Sequence, residues 1–174
     1  MRVQLENVSK ENISELRPIC IDCYSVYFGD HWNENGLDWY LDKQFNHKKL
    51  KSDLNNKDVD YYFINVIDNP VGFIKINNNS VSNLFVDPYA ELEKMYVLPK
   101  FKGKGIGKKA LKKAIKIIQE KGKKILFLDV LDTNKKAIAF YEKLGFNFYS
   151  NTRLDLPYFK DQFRGINRMF IELK

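Results

Sequence analysis

The chain has 174 residues, of which 44% are apolar and 29% are charged, so it is long enough for one domain with a hydrophobic core. No apolar run approaches the length of a membrane span, and the first residues lack the pattern of an export signal, so we expect a cytoplasmic protein without a membrane partner. The net charge of +7 is concentrated at residues 100–124, which hold eleven lysines and one acid and predict one polyanionic partner at one place.

Hydrophobic periodicity in the first half of the chain predicts a strand, three helices and a hairpin. In chain order these are a strand at Val3–Asn7, a helix at Glu11–Phe28, short helices at Gly36–Phe45 and His47–Leu54, and hairpin strands at Asp60–Ile67 and Val71–Ile76. The residues Asp68-Asn69-Pro70 supply the turn of the hairpin. We expect Val81–Ala90 to be irregular or partly extended.

The second half of the chain alternates strands and helices. The predicted elements are a strand at Glu91–Val97, a glycine-rich loop at Gly103–Gly107, a helix at Lys108–Lys121, a strand at Lys124–Leu131, a helix from Thr133 or Asn134 to Lys143, and strands at Phe146–Ser150 and Asn167–Leu173. This order predicts an α/β (α+β) fold, in which helices cover both faces of a mixed, largely antiparallel sheet of six to seven strands. We expect one domain over residues 1–174.

The only two cysteines, Cys20 and Cys23, lie three positions apart on a predicted helix. A redox or metal role needs further ligands, but no second cysteine pair exists, and His31 and His47 lack ligand-like spacing. We therefore expect reduced thiols on a helix and no metal.

The segment from Val97 to Lys108 places glycines between a predicted strand and a predicted helix. Amides at a helix N-terminus attract anions, and glycines let the backbone approach phosphate oxygens closely. Two familiar phosphate loops do not fit, because Lys102 and Lys108 stand where the nucleoside-triphosphate loop and the dinucleotide fingerprint respectively require glycine. The pattern leaves open another anion-binding loop or a tight turn without a ligand.

Two motifs carry a family resemblance. Lys102-x-x-Gly105-x-Gly107 resembles the pyrophosphate loop of the GNAT superfamily of N-acetyltransferases, which usually begins with Gln or Arg, and Asn134–Phe146 resembles the later motif of that family. The resemblance implies acetyl-CoA as co-substrate and direct acetyl transfer to a primary amine. The residues that it places near CoA are Met95, Tyr96, Val97, Lys102, Gly103, Lys104, Gly105, Ile106, Gly107, Lys108, Asn134, Lys136, Ala137, Tyr141 and Lys143.

The spacing within the second motif suits an extended ligand. Asn134 and Tyr141 lie nearly two helical turns apart and share a face, on which Ala137 leaves room. The alternatives are that Asn134 only caps the helix and that Tyr141 only packs in the core. On an ideal helix Lys143 lies opposite Asn134.

Acetyl transfer requires that the acceptor amine lose a proton and that the leaving thiolate gain one. Glu91 and Glu93 alternate onto one face of the strand before the glycine loop, where the resemblance places the acceptor. We expect Glu93 to be the proton acceptor, with Glu91 as second candidate, and the alternative is a pair of solvated carboxylates. The resemblance implies that Tyr141 donates the proton to the CoA thiolate. It also implies that a backbone amide at residues 95–97 donates a hydrogen bond to the thioester carbonyl.

A wider likeness to the bacterial spermidine/spermine N-acetyltransferase-like branch rests on Phe28–His31, Trp39–Leu41, Pro70–Phe73 and Glu91–Val97. The tail differs from that branch at residues 156–159 and 164–165, so the acceptor stays open between a polyamine, another small amine, a lysine, and a peptide or protein N-terminus. We expect the acceptor to be recognised by Phe28, His31, Trp39, Tyr40 and the loop Arg153–Phe163.

Two other functions compete with catalysis. An inactive CoA-binding sensor is disfavoured because Tyr141, Glu93 and the glycine loop are all present. A nucleic-acid-binding module is disfavoured because the lysines cluster at a phosphate loop and no binding motif accompanies them. A homodimer remains open.

Overall fold

The structure, a computed structural model, describes residues 2–80 and 83–174. The strands are β1 (Val3–Asn7), β2 (Val59–Val66), β3 (Asn69–Asn77), β4 (Tyr89–Val97), β5 (Ile125–Leu131), β6 (Asn147–Arg153) and β7 (Gly165–Glu172). The α-helices are α1 (Ile13–Phe28), α2 (Gly36–Phe45), α3 (His47–Asn55), α4 (Ile106–Glu120) and α5 (Lys135–Glu142). The first two residues of the segment expected to be irregular, Val81 and Ser82, lie outside the described residues.

The seven strands form one sheet in the order β1-β2-β3-β4-β5-β7-β6. The pair β4–β5 is parallel, and the other neighbouring pairs are antiparallel. The predicted fold class is confirmed, and β5 lies inside the sheet, as its continuous apolar run indicates.

Two hydrophobic cores flank the sheet. On one face α1, α2 and α3 enclose an aromatic-rich cluster that includes Tyr24, Tyr40 and Phe73. On the other face α4 buries Ile106, Ala110, Leu111, Ala114 and Ile118, and α5 packs beside it. No helix among residues 2–80 and 83–174 is long and apolar enough to cross a membrane.

The element boundaries agree with the sequence prediction to within a few residues. Helix α4 begins at Ile106, two residues earlier than predicted, because Gly105 adopts a left-handed conformation and is the N-cap. Asn134, and not Thr133, caps α5, since its side chain accepts a hydrogen bond from the amide of Ala137 at 3.1 Å.

Candidate active site

Strands β4 and β5 separate in the middle of the sheet. Their pairing runs from Tyr89 with Ile125 to Glu91 with Phe127, and the rest of β4 has no partner on β5. The amide of Leu98 donates to the carbonyl of Val71 at 2.8 Å, on the side of β3. Because backbone groups alternate in direction along a strand, the amides of Met95 and Val97 point into the opening.

The glycine loop leads from β4 into α4 beside this opening. Gly103 and Gly105 have φ angles of +78° and +73°, a region that side chains disfavour. The amide of Lys109 donates to the carbonyl of Gly105, so the amides of residues 106–108 have no acceptor within the helix. Gly105 has no side chain to cap them, so these amides are available to bind an anion at the helix end.

Gly107 lies on α4 where this helix faces both β4 and α5. A Cβ atom at this position would lie 3.4 Å from Met95 Cε and 3.7 Å from Phe140 Cζ, which are ordinary van der Waals separations. The glycine loop, the open edge of β4 and α5 therefore lie next to one another here.

Helix α5 borders the opening with a face that is only partly covered. None of its residues is buried, although Ala137, Phe140 and Tyr141 pack against the core on the α4 side. The Tyr141 ring lies 5.2 Å from that of Phe140 and 5.5 Å from that of Phe146, and burial raises the pKa of its phenol to about 12. Tyr141 therefore packs in the core and also keeps its proton at neutral pH.

Several lysines surround the glycine loop. Lys102 Nζ lies 5.2 Å from the ring centre of Tyr27, and Lys104 Nζ lies 5.5 Å from that of Phe101. Lys108, Lys136 and Lys143 are exposed, and Lys143 lies at the C-terminal end of α5. Their charges create a positive field around the loop.

The sequence model of the Acetyltransferase (GNAT) family matches residues 14–146, which include α1, the opening, the glycine loop and α5. The chain belongs to the GNAT acetyltransferase family. An uncharacterized N-acetyltransferase of Methanocaldococcus jannaschii is 33% identical over 145 residues, which cover 82% of this chain and 59% of that protein. The chain thus spans about three fifths of the length of this relative.

Solved structures of GNAT proteins share the fold. The PaiA N-acetyltransferase from Thermoplasma acidophilum, in complex with coenzyme A, superposes with a TM-score of 0.76 at 22% identity, covering 99% of both chains. A spermidine N-acetyltransferase SpeG chimera from Vibrio cholerae and hSSAT gives a TM-score of 0.75 at 14% identity, covering 99% of this chain and 96% of that one. At these identities the likeness concerns the fold alone.

Glu93 forms a β-bulge in β4 of this GNAT protein. Lys75 pairs with Lys94 and Ile76 with Leu92, so Glu93 is the extra residue. The bulge brings the side chains of Glu93 and Lys94 together, and Lys94 Nζ donates to Glu93 Oε1 at 2.6 Å.

Glu93 also accepts a hydrogen bond from Lys75 Nζ at 2.9 Å. Burial alone would raise the pKa of Glu93, but Lys94 and Lys75 together lower it to about 2. The structure thus places the expected proton acceptor inside a pair of ionic contacts. The pKa of Glu91, in contrast, is raised above its usual value by burial and, less strongly, by the charge of Glu93.

The ionic contacts continue away from Glu93 into α3. Lys75 Nζ lies 3.1 Å from Asp53 Oδ2, and Asp53 also binds Lys49 and the hydroxyl of Tyr61. Sequence analysis did not identify Asp53, Lys75 or Lys94. The lysine within the largely apolar strand β3 was the available signal, because buried lysines require partners.

The residues expected to recognise the acceptor do converge. The ring of Phe28 lies 5.7 Å from that of Tyr96 and 5.5 Å from that of His31. His31 in turn lies 4.3 Å from Phe163, in the loop between β6 and β7. Tyr40 is buried, stacks on Tyr24 at 4.3 Å and lies deeper in the same cluster.

The imidazole of His31 lies among the aromatic rings of Phe28 and Phe163. Burial lowers the pKa of His31, while Asp30 and Lys160 act on it in opposite directions. Its Nδ1 atom is buried and has no hydrogen-bond partner among the described residues. The ring is therefore neutral at neutral pH.

Cys20 and Cys23 are buried and unpaired with each other, and burial raises the pKa of Cys23 to about 12. A thiol with such a pKa is a poor nucleophile. In the part of the chain that the structure describes, no group of three or more His, Cys, Asp or Glu side chains is arranged to hold a metal ion.

Proposed function

We propose that the protein transfers an acetyl group from acetyl-CoA directly to the nitrogen of a primary amine. The observation that carries the proposal is the opening between β4 and β5 immediately beside the glycine loop. The pyrophosphate of CoA is bound by amides of residues 105–108, and Lys102 and Lys104 attract it electrostatically. The pantetheine arm extends along α5, past Ala137, toward Tyr141.

The acetyl group lies at the open edge of β4. Its carbonyl oxygen accepts a hydrogen bond from the amide of Met95 or Val97, which polarises the carbonyl and stabilises the negative charge that develops during attack. The amine nitrogen forms a bond to the carbonyl carbon, and the carbon–sulfur bond then breaks. No acyl-enzyme is needed, in keeping with the buried, protonated cysteines.

Two proton transfers complete the reaction. Tyr141 donates its phenolic proton to the departing thiolate, and its raised pKa means that it holds this proton at neutral pH before the transfer. Glu91 accepts the proton that the amine loses, directly or through water. Glu91 becomes the first candidate because its pKa is raised, whereas the pKa of about 2 makes Glu93 a weak base.

Titration calorimetry with acetyl-CoA, followed by a thiol-release assay with a panel of amines, tests the proposal. We expect one binding site per chain and release of free CoA that depends on the amine. Absence of heat with acetyl-CoA, for a protein that melts cooperatively, would contradict the proposal.

A further inference from the structure

Resting on the proposed acetyl transfer, we infer that the acceptor is a monoamine whose amino group is carried on an aromatic or apolar body, and not a polyamine or other polycation. The inference comes from the charges and rings on the α1 side of β4, where Tyr96 faces Phe28 and Glu93 faces Lys94.

Two carboxylates on this face, those of Glu93 and Asp53, are already paired with lysines. Glu93 is bound by Lys75 and Lys94, whose side chains are only 5% and 6% exposed, and Asp53 is bound by Lys49 and Lys75. Lys75 and Lys94 both contact Glu93, so its carboxylate is not free to bind an ammonium group. A second ammonium group of a polyamine placed beside Glu93 would be repelled by these two lysines.

At the outer end of this face, near the loop between β6 and β7, carboxylates also have cationic neighbours. Asp161 is bound by Arg153 at 2.5 Å and approached by Arg164 at 3.4 Å. Lys160 Nζ donates to the backbone carbonyl of Asp30 at 2.7 Å, which places an ammonium beside that aspartate. The carboxylate of Asp161 at this end is therefore already paired with cationic side chains.

Aromatic rings form a continuous path on this face. It runs from Tyr96 to Phe28, His31 and Phe163 with centroid distances of 5.7, 5.5 and 4.3 Å. All four rings are partly exposed. An aromatic or apolar body fits such a path, because it gains ring contacts and buries apolar surface there.

The buried lysines also favour the reactive form of the acceptor. A positive charge near a bound amine destabilises its ammonium form and lowers its pKa. A monoamine then loses its proton more easily, whereas the additional ammonium groups of a polyamine stay charged and are repelled.

The test compares kcat/KM for phenethylamine and tyramine with that for putrescine and spermidine, by CoA thiol release. We expect the aromatic amines to be used at least 100-fold more efficiently. Equal or better use of spermidine overturns the inference while leaving the proposed function intact. No turnover with any amine, although acetyl-CoA binds, also overturns it, whereas a failure to bind acetyl-CoA would overturn the proposed function itself.

A charge variant separates the effect of the lysines from that of the rings. Lys94→Met keeps the length of the side chain and leaves Glu93 paired with Lys75 alone, so we expect the ratio of spermidine to phenethylamine use to rise at least tenfold. Lys116→Met is the matched control, since Lys116 is 78% exposed on α4, and its ratio should not change. An unchanged ratio in a folded Lys94→Met protein overturns the inference.

A ring variant keeps the test decisive if Lys94→Met does not fold. Phe28→Leu shortens the aromatic path at a partly exposed position. We expect it to lower kcat/KM for phenethylamine at least tenfold and to change that for spermidine less than twofold. Equal losses for both amines would count against the aromatic path.

Discussion

Tyr141 lies near enough to Tyr96 to contribute to the raised pKa of Tyr96, although the two side chains pack on opposite faces of the sheet. Burial is the main cause of this raised pKa, and the nearby phenols of Tyr40 and Tyr141 add to it. The two faces are connected here because β4 and β5 no longer pair beyond Glu91. In the proposed mechanism, this opening would let a thioester lying along α5 reach an amine held beside Tyr96.

Removing the hydroxyl of Tyr141 tests its role as an acid. Tyr141→Phe keeps the ring contacts with Phe140 and Phe146, so we expect acetyl-CoA affinity to change less than about twofold while kcat falls about 100-fold. Steady-state kinetics measures kcat, and calorimetry measures the affinity for acetyl-CoA. Tyr149→Phe, at an exposed tyrosine, is the control and should keep full turnover. Wild-type turnover in Tyr141→Phe would reduce Tyr141 to a packing residue.

The glycine loop offers a matched pair of substitutions. Gly105 and Gly122 flank α4 with φ angles of +73° and +78°, and an added Cβ would have no neighbour within 4 Å at either position. Gly105→Ala and Gly122→Ala should each destabilise the fold by about 1 kcal/mol, measured by denaturant unfolding. Only Gly105→Ala should weaken acetyl-CoA binding, about tenfold by calorimetry. Equal affinities in the two variants would contradict the assignment of the loop.

The ion pairs of Glu93 predict a particular dependence of stability on pH. The pKa of Glu93 falls from 4.5 to about 2 on folding, so the carboxylate stabilises the fold above pH 4.5 and loses this effect as the pH falls toward 2. Glu93→Gln should therefore lower the free energy of unfolding by about 3 kcal/mol at pH 7. The difference from the wild type should shrink steadily below pH 4.5. A constant difference across this range would show that the charge of Glu93 is not responsible.

The decline of kcat as the pH falls tests whether Glu91 is the base. Its raised pKa means that the base form is lost, and kcat declines, at a higher pH than for an ordinary carboxylate. Glu91→Gln should lower kcat about 100-fold and remove this decline. Glu93→Gln should retain the decline of kcat at low pH. In the wild type the Glu93 carboxylate stays ionised over the pH range of this decline and therefore does not cause it. The opposite pattern would return the role of base to Glu93.

Much of the fold follows from local patterns in the sequence. Runs of strand-forming residues, the apolar stripe of α4 and the turn residues predict each element to within a few residues. The alternation of Glu91 and Glu93 along β4 predicts that they share a face, and this stays a prediction.

The ionic contacts at Glu93 were beyond sequence reasoning for a physical reason. Strict alternation places Lys94 on the face opposite Glu93, whereas the bulge brings the two side chains together. Asp53 and Lys75 come from a distant helix and a neighbouring strand, and their contacts depend on tertiary packing. The same contacts change the preferred base from Glu93 to Glu91.

The most direct test of the central claim is a crystal structure of the protein with acetyl-CoA bound. We predict pyrophosphate oxygens within hydrogen-bond distance of the amides of residues 105–108, and the thioester carbonyl at the amide of Met95 or Val97. Acetyl-CoA bound along the exposed lysines of α4, with nothing between β4 and β5, would contradict the account.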